Sequence, residues 1–209
     1  MESEKKLSNK IDGSELQPGD HIYSWRKLKT YAHHGIFVGE DKVIHFTSSK
    51  ADSGYSSTAT VSKNVSKKKP CTKCGYDGKA GVIETCLDCF LKGGELYRYG
   101  YNISRRRLMF TRFGTCTSVS CGPVEDTLRR AYDYLKNGYI TDYSFLEKNC
   151  EDFAVNCKTG LTVPTGADTN TLSGQPCFLR LMEKPYLLAA YPIVRIHEDS
   201  KLRKICPKH

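Results

Sequence analysis

The chain has 209 residues, enough for one domain with elaborations or two small ones. Hydrophobic residues make up 39% and charged residues 26%, which supports a real core under an ordinary polar surface. No run approaches the roughly 18 apolar residues of a spanning helix, so no transmembrane helix is expected, while a net charge of +9 suits acidic partners such as anionic headgroups.

Residues 1–13 read as a flexible leader. Met1-Glu2-Ser3-Glu4-Lys5-Lys6 is charged, which does not fit a signal peptide, and the expected location is cytoplasmic. Pro18-Gly19-Asp20 turns the chain into a first strand over Asp20–Trp25. His33–Gly39 is a second strand, Glu40-Asp41 a tight turn, and Lys42–Phe46 a third strand, together a hairpin. A polar, basic stretch from residue 47 to Pro70 reads as a long loop.

Cys71-Thr72-Lys73-Cys74 and Cys86-Leu87-Asp88-Cys89 follow, separated by eleven residues. Each pair is a tight turn that aims two sulfurs at one point, and two such turns can close a tetrahedral Zn2+ site. The ten cysteines then read as a largely reduced, intracellular set rather than a disulfide framework. The zinc is structural, stapling an insertion too polar to fold alone, with ligands Cys71, Cys74, Cys86 and Cys89. Cys116 and Cys121 are a weaker pair, and Cys177 and Cys206 have no assigned role.

Leu96–Tyr101 resumes as a strand, and Leu108–Arg112 is expected to extend the sheet. Pro123 opens a helix on which Val124, Leu128, Ala131, Tyr132 and Leu135 recur at helical spacing, and Gly138 stops it. A second helix opens at Asn149-Cys150, carries Phe153, Ala154 and Cys157 on one side, and ends near Gly160.

A cysteine at a helix N-terminus loses its proton more easily, and the thiolate is the nucleophile. It needs a base, and His33, His34 and His45 are the upstream candidates. Side chains alternate across a strand, so only one of the adjacent His33 and His34 can face the cysteine. Spacing alone does not say which.

Three blocks carry a resemblance: His33-His34-Gly35-Ile36-Phe37-Val38-Gly39, Val43-Ile44-His45-Phe46 and Asn149-Cys150-Glu151-Asp152-Phe153. They resemble the lecithin retinol acyltransferase (LRAT) domain family, including its plant LRAT/NC domain members. That family sits within the circularly permuted NlpC/P60 group of papain-like thiol enzymes. The resemblance implies an α+β fold: a small antiparallel sheet packed on helices, here with the Cys-rich insertion. It implies domain limits of 14–160, with the zinc module as an insertion over 62–95 and a C-terminal extension over 161–209. By resemblance His33 is the general base, His45 the residue that orients it, and Cys150 the nucleophile. Tyr143, seven residues before the cysteine, would help polarise the substrate carbonyl. His34 falls where the family often has a core aromatic. Asp152 stands where the family usually has histidine, and a carboxylate there is expected to raise the thiol pKa.

The implied activity is acyl transfer or hydrolysis of lipid esters, above all phospholipids, through an acyl-cysteine. Basic clusters at Lys67–Lys69, Arg105–Arg107 and Arg129-Arg130 are expected to give transient contact with an anionic membrane. No recognition helix or stacking platform accompanies them, so nucleic acid is not an expected partner. A second reading keeps the fold without the activity, as a binding or scaffolding module. The cysteine pairs and the acyl-transfer site are expected to be separable, because they lie in different parts of the chain.

Overall fold

A computed structural model describes residues 9–26, 29–48, 69–139, 149–162 and 191–205. The strands are β1 (His21–Arg26), β2 (Tyr31–Gly39), β3 (Lys42–Thr47), β4 (Gly81–Cys86) and β5 (Tyr97–Arg98). They form one antiparallel sheet in the order β4-β3-β2-β1-β5. The described helices are α1 (Leu87–Leu91), α2 (Arg105–Leu108), α3 (Val124–Asn137), α4 (Cys150–Thr159) and α5 (Tyr191–Ile205).

The β2–β3 hairpin closes through Glu40 and Asp41, both left-handed at φ 49° and 61°. Two such residues form the primed turn whose twist matches that of paired strands. The ladder between these strands runs from Gly39–Lys42 to Ile36–Ile44. Beyond it, β2 stays paired with β1 through Ser24–His33, and β3 with β4 through Ile83–His45. The two central strands therefore part at the level of their histidines.

Strand alternation gives the sheet two different faces. Ala32, Ile36, Ile44 and Phe46 face α4, where Phe153, Ala154, Val155 and Cys157 are almost fully buried. Ile22, Phe37 and Val43 face the other way, against Phe90 of α1, with Leu96. Residues 150–158 of α4 are all buried, so this helix is central. Gly160, left-handed at φ 71°, ends it.

Three expectations change. The strand expected over Leu96–Tyr101 keeps only Tyr97 and Arg98 against β1. Gly100 instead pairs with the segment around Cys116, donating to the Thr115 carbonyl. The segment Leu108–Arg112 does not extend the sheet. Ser104 accepts from the Arg107 amide and starts the short helix α2 instead. On α3 the inward stripe is Thr127, Ala131, Tyr134 and Leu135, whereas Val124 and Tyr132 are exposed. The buried face of α3 is thus centred on Ala131, which packs in one cluster with Phe153, Ala154 and Cys157 of α4, rather than on Val124 and Tyr132.

The stretch expected as a separate zinc insertion is partly sheet. Its residues 81–86 form the edge strand β4, and α1 follows directly.

Candidate active site and four-cysteine cluster

The hairpin brings His33 and His45 together on the α1 side of the sheet. His33 Nε2 lies 2.8 Å from His45 Nδ1, and His45 Nε2 lies 3.1 Å from Thr85 Oγ1. The side-chain pair spans the place where β2 and β3 part. Phe90 covers both rings, with centroids 5.3 Å from His33 and 5.4 Å from His45. Arg26 donates to the Phe90 and Leu91 carbonyls at the end of α1 and so fixes that cover. Burial holds the His33 pKa well below its usual value, with His45 and Arg26 adding to the effect. His33 is therefore a neutral imidazole, the form that can accept a proton.

Cys150 is the first residue of α4, and its cap is complete. Asn149 Oδ1 accepts from the Glu151 amide at 2.8 Å and the Asp152 amide at 3.4 Å. Asp152 Oδ2 accepts in return from the Asn149 amide at 3.1 Å. This is a capping box, so the Asp152 carboxylate is turned back onto the backbone. Its place in the sequence thus has a helix-starting role that spacing from the thiol alone does not suggest. The Cys150 thiol is directed at the Ala32 carbonyl, 3.8 Å away, on the residue before His33. The pleat sends Ala32 toward α4 and His33 toward α1, so thiol and imidazole approach β2 from opposite faces. Tyr143 lies outside the described residues.

His34 points into the α4 side. Its Nδ1 is 2.9 Å from His21 Nε2, and His21 Nδ1 is 2.9 Å from the Tyr101 hydroxyl. His21 stacks on Tyr99 at 4.2 Å, and Tyr99 donates to the buried Glu151 at 3.2 Å. Burial, with Arg26 second, pushes the His34 pKa down to about 3. His34 is thus a core histidine. Nothing in the spacing of His21, Tyr99, Tyr101 and Glu151 marks this network, because its members come from β1, β2, the segment after β5 and α4.

Four sulfurs converge beside α1. The Sγ atoms of Cys71, Cys74, Cys86 and Cys89 all lie within 4.8 Å of one another. Cys71 and Cys86 are 4.0 Å apart, and Cys74 and Cys89 3.7 Å. A tetrahedron with metal–sulfur bonds of about 2.3 Å has sulfur–sulfur edges of about 3.8 Å. The donor set is therefore compatible with a metal site. The amides of Cys74 and Lys73 point at Cys71 and lower its thiol pKa to about 6, toward the ligating thiolate. Cys116 is buried and bonded to Thr111 Oγ1, whereas Cys121 is exposed. Cys157 packs in the core with Phe153.

The family model for lecithin retinol acyltransferase matches residues 14–163. The chain belongs to that family. Protein LEAD-SENSITIVE 1 of Arabidopsis thaliana is 45% identical over 175 residues, which cover 81% of this chain and 67% of that protein. The family match joins all three motif blocks and the cysteine cluster in one domain, and it points to acyltransferase or hydrolase chemistry. Among the described residues, no helix of this family member is long and apolar enough to cross a membrane.

Proposed function

We propose that this protein is a thiol acyltransferase or hydrolase of lipid esters, above all phospholipids, with Cys150 as nucleophile and His33 as base. The observation that carries the reading is the His33–His45 pair, placed where β2 and β3 part and one residue from the carbonyl that receives the Cys150 thiol. An imidazole on one face would have to reach the thiol on the other through that parting. His33 Nε2 is engaged by His45, so Nδ1 takes the thiol proton. The thiolate, favoured by the N-terminal end of α4, attacks the ester carbonyl. The bond to the leaving alcohol breaks, and His33 returns the proton to that oxygen. His33 then deprotonates water, an amine or another lipid, which takes the acyl group from Cys150. Tyr143 would polarise the carbonyl.

The four cysteines would hold zinc in a closed, structural site with no open position for a substrate. The protein would work in the cytoplasm and meet anionic membrane surfaces through its basic clusters.

Mass spectrometry after mixing with phospholipid vesicles tests the reading. An acyl adduct on Cys150 that is absent in Cys150→Ala, and that fails to form in His33→Ala, is the expected result. No adduct and no turnover across ester classes would leave the fold as a binding module.

A further inference from the structure

We infer that the turn from Ser104 to Phe110 is the surface by which this protein docks on anionic phospholipid bilayers. Arg105, Arg106 and Arg107 pair with headgroup phosphates, and the Phe110 ring inserts among the lipids. The inference rests on the reading of the substrate as a phospholipid, and it selects one basic cluster as the membrane contact.

The basic clusters are alike in sequence but not in the folded chain. On α3, Arg129 lies 3.3 Å from both Asp126 and Asp133. Arg130 lies 3.6 Å from Asp126 and donates to the Cys157 carbonyl at 3.0 Å. Those charges are already answered within the protein. Of residues 67–69, only the exposed Lys69 is described. The turn at Arg105–Arg107 differs. No Asp or Glu occurs between Glu95 and Glu125 in the sequence. Among the described residues, no ion pair involves Arg105, Arg106 or Arg107. Arg105 and Arg106 are also exposed. The helix packed against α2 is α5, and its carboxylates are engaged elsewhere. Asp199 is buried on Thr117 and Ser118, and Glu198 pairs with Lys201 at 2.9 Å. The positive charge of this turn is therefore left for an outside partner.

Phe110 says which kind of partner. Its side chain is 72% exposed, whereas Phe113 is 1% exposed against Arg195 and Tyr191. The backbone holds the ring outward. The Phe110 amide donates to the Arg107 carbonyl, and the Thr111 amide to the Leu108 carbonyl, both at 3.1 Å. Leu108 is fully buried and anchors the turn from beneath. On the far side, the Tyr191 hydroxyl donates to the Thr111 carbonyl at 3.0 Å and accepts from the Phe113 amide at 3.1 Å. A lone exposed apolar side chain is ordinary. One pinned on the same turn as three unpaired arginines is an amphipathic wedge. Its ring gains by leaving water for the headgroup boundary, while guanidinium forks grip phosphates. A soluble acidic protein would use the arginines and leave the ring in water. Nucleic acid would stack bases on the ring. Leucine separates that case, since it enters lipid but offers no aromatic face.

The test is co-sedimentation of the full chain with vesicles of phosphatidylcholine, with or without phosphatidylserine. It is run on the unaltered protein and on Cys150→Ala, in which lipid is not consumed. Both should bind the phosphatidylserine vesicles and not those of phosphatidylcholine alone. Arg105→Gln, Arg106→Gln and Arg107→Gln together should weaken binding by about a hundredfold. Phe110→Ala should weaken it by at least about fivefold. Phe110→Leu and Arg129→Gln should bind as the unaltered protein does. Trp25 is the native tryptophan of the chain. In Phe110→Trp, the added indole should be quenched by phospholipids brominated on their acyl chains, beyond any quenching of Trp25. Full binding by the triple variant, or lost binding in Arg129→Gln, overturns the assignment of this surface and leaves membrane docking standing elsewhere. No binding by the unaltered protein overturns docking itself. An acyl adduct on Cys150 from a dispersed soluble ester would then still support the enzyme reading. Binding to single-stranded RNA that falls in Phe110→Leu, with vesicles ignored, overturns the inference in favour of a nucleic-acid surface. If the triple variant does not fold, an unquenched indole in Phe110→Trp overturns it.

Discussion

Gly35 sits where the hairpin has no room for a side chain. A Cβ there would stand 2.8 Å from Val43 Cγ1, 3.0 Å from His45 Cβ and 3.0 Å from Phe90 Cε2. The glycine of the first motif block is thus explained by packing under His45, not by backbone conformation. Gly35→Ala should lower stability by about 1–3 kcal/mol, the usual range for overpacking. It should also slow Cys150 alkylation, since the atoms that must yield belong to the histidine site. Urea melts and alkylation rates check both, and an unchanged pair of values would show that the site has slack. Asn149 makes a different contribution. Its side chain satisfies two amides of α4, and Asn149→Ala should lower the melting stability by about 1 kcal/mol.

Two elements, β4 and α1, tie the cysteine cluster to the site. On sequence spacing the two were expected to be separable. The direct succession of Thr85 and Cys86, and of Cys89 and Phe90, argues against that. Cys71→Ser with Cys74→Ser should lose bound metal and melt at lower temperature, because structural metal binding contributes directly to folding. Alkylation of Cys150 should slow in the same variant. Metal analysis and melts, followed by alkylation below the melting temperature, make the comparison. Loss of metal with an unchanged alkylation rate would restore separability. Cys150→Ala should keep its metal, and loss of metal there would make Cys150 a ligand.

For the molecule as a whole, three buried histidines set the response to acid. Burial is the leading cause that holds His21, His33 and His34 below their usual pKa, His34 to about 3. In the unfolded chain each returns to a value near 6.5. Between these limits the unfolded state binds more protons, so stability rises with pH. The stabilisation is complete above about pH 6.5 and is lost as pH falls toward the folded values. Each histidine contributes a slope of about 1.4 kcal/mol per pH unit in that window. Urea midpoints should therefore be level above about pH 7.5 and fall steeply below pH 6. A midpoint independent of pH from 7.5 to 5 would mean that these rings are solvated in the native state.

Sequence by itself determined the local features. Glu40-Asp41 between apolar runs marks the hairpin, Pro123 and Gly138 bracket α3, and Asn149 and Gly160 bracket α4, because turn and cap chemistry acts over a few residues. The two Cys-x-x-Cys pairs announced a common sulfur site, since each turn aims its own two thiols. The family was also legible, because its three blocks survive as short contiguous strings. Tertiary structure alone decided which residues complete the site. Thr85 reaches His45 only because β4 pairs with β3 in one register, and Phe90 covers both rings only because α1 folds back over that face. His21 meets His34 across the paired strands β1 and β2, and Tyr99 meets Glu151 of α4 from 52 residues away in the chain. Such contacts depend on register and on which face a helix covers. A one-residue slip would invert every side chain of a strand, and no local string records which register the assembled core selects.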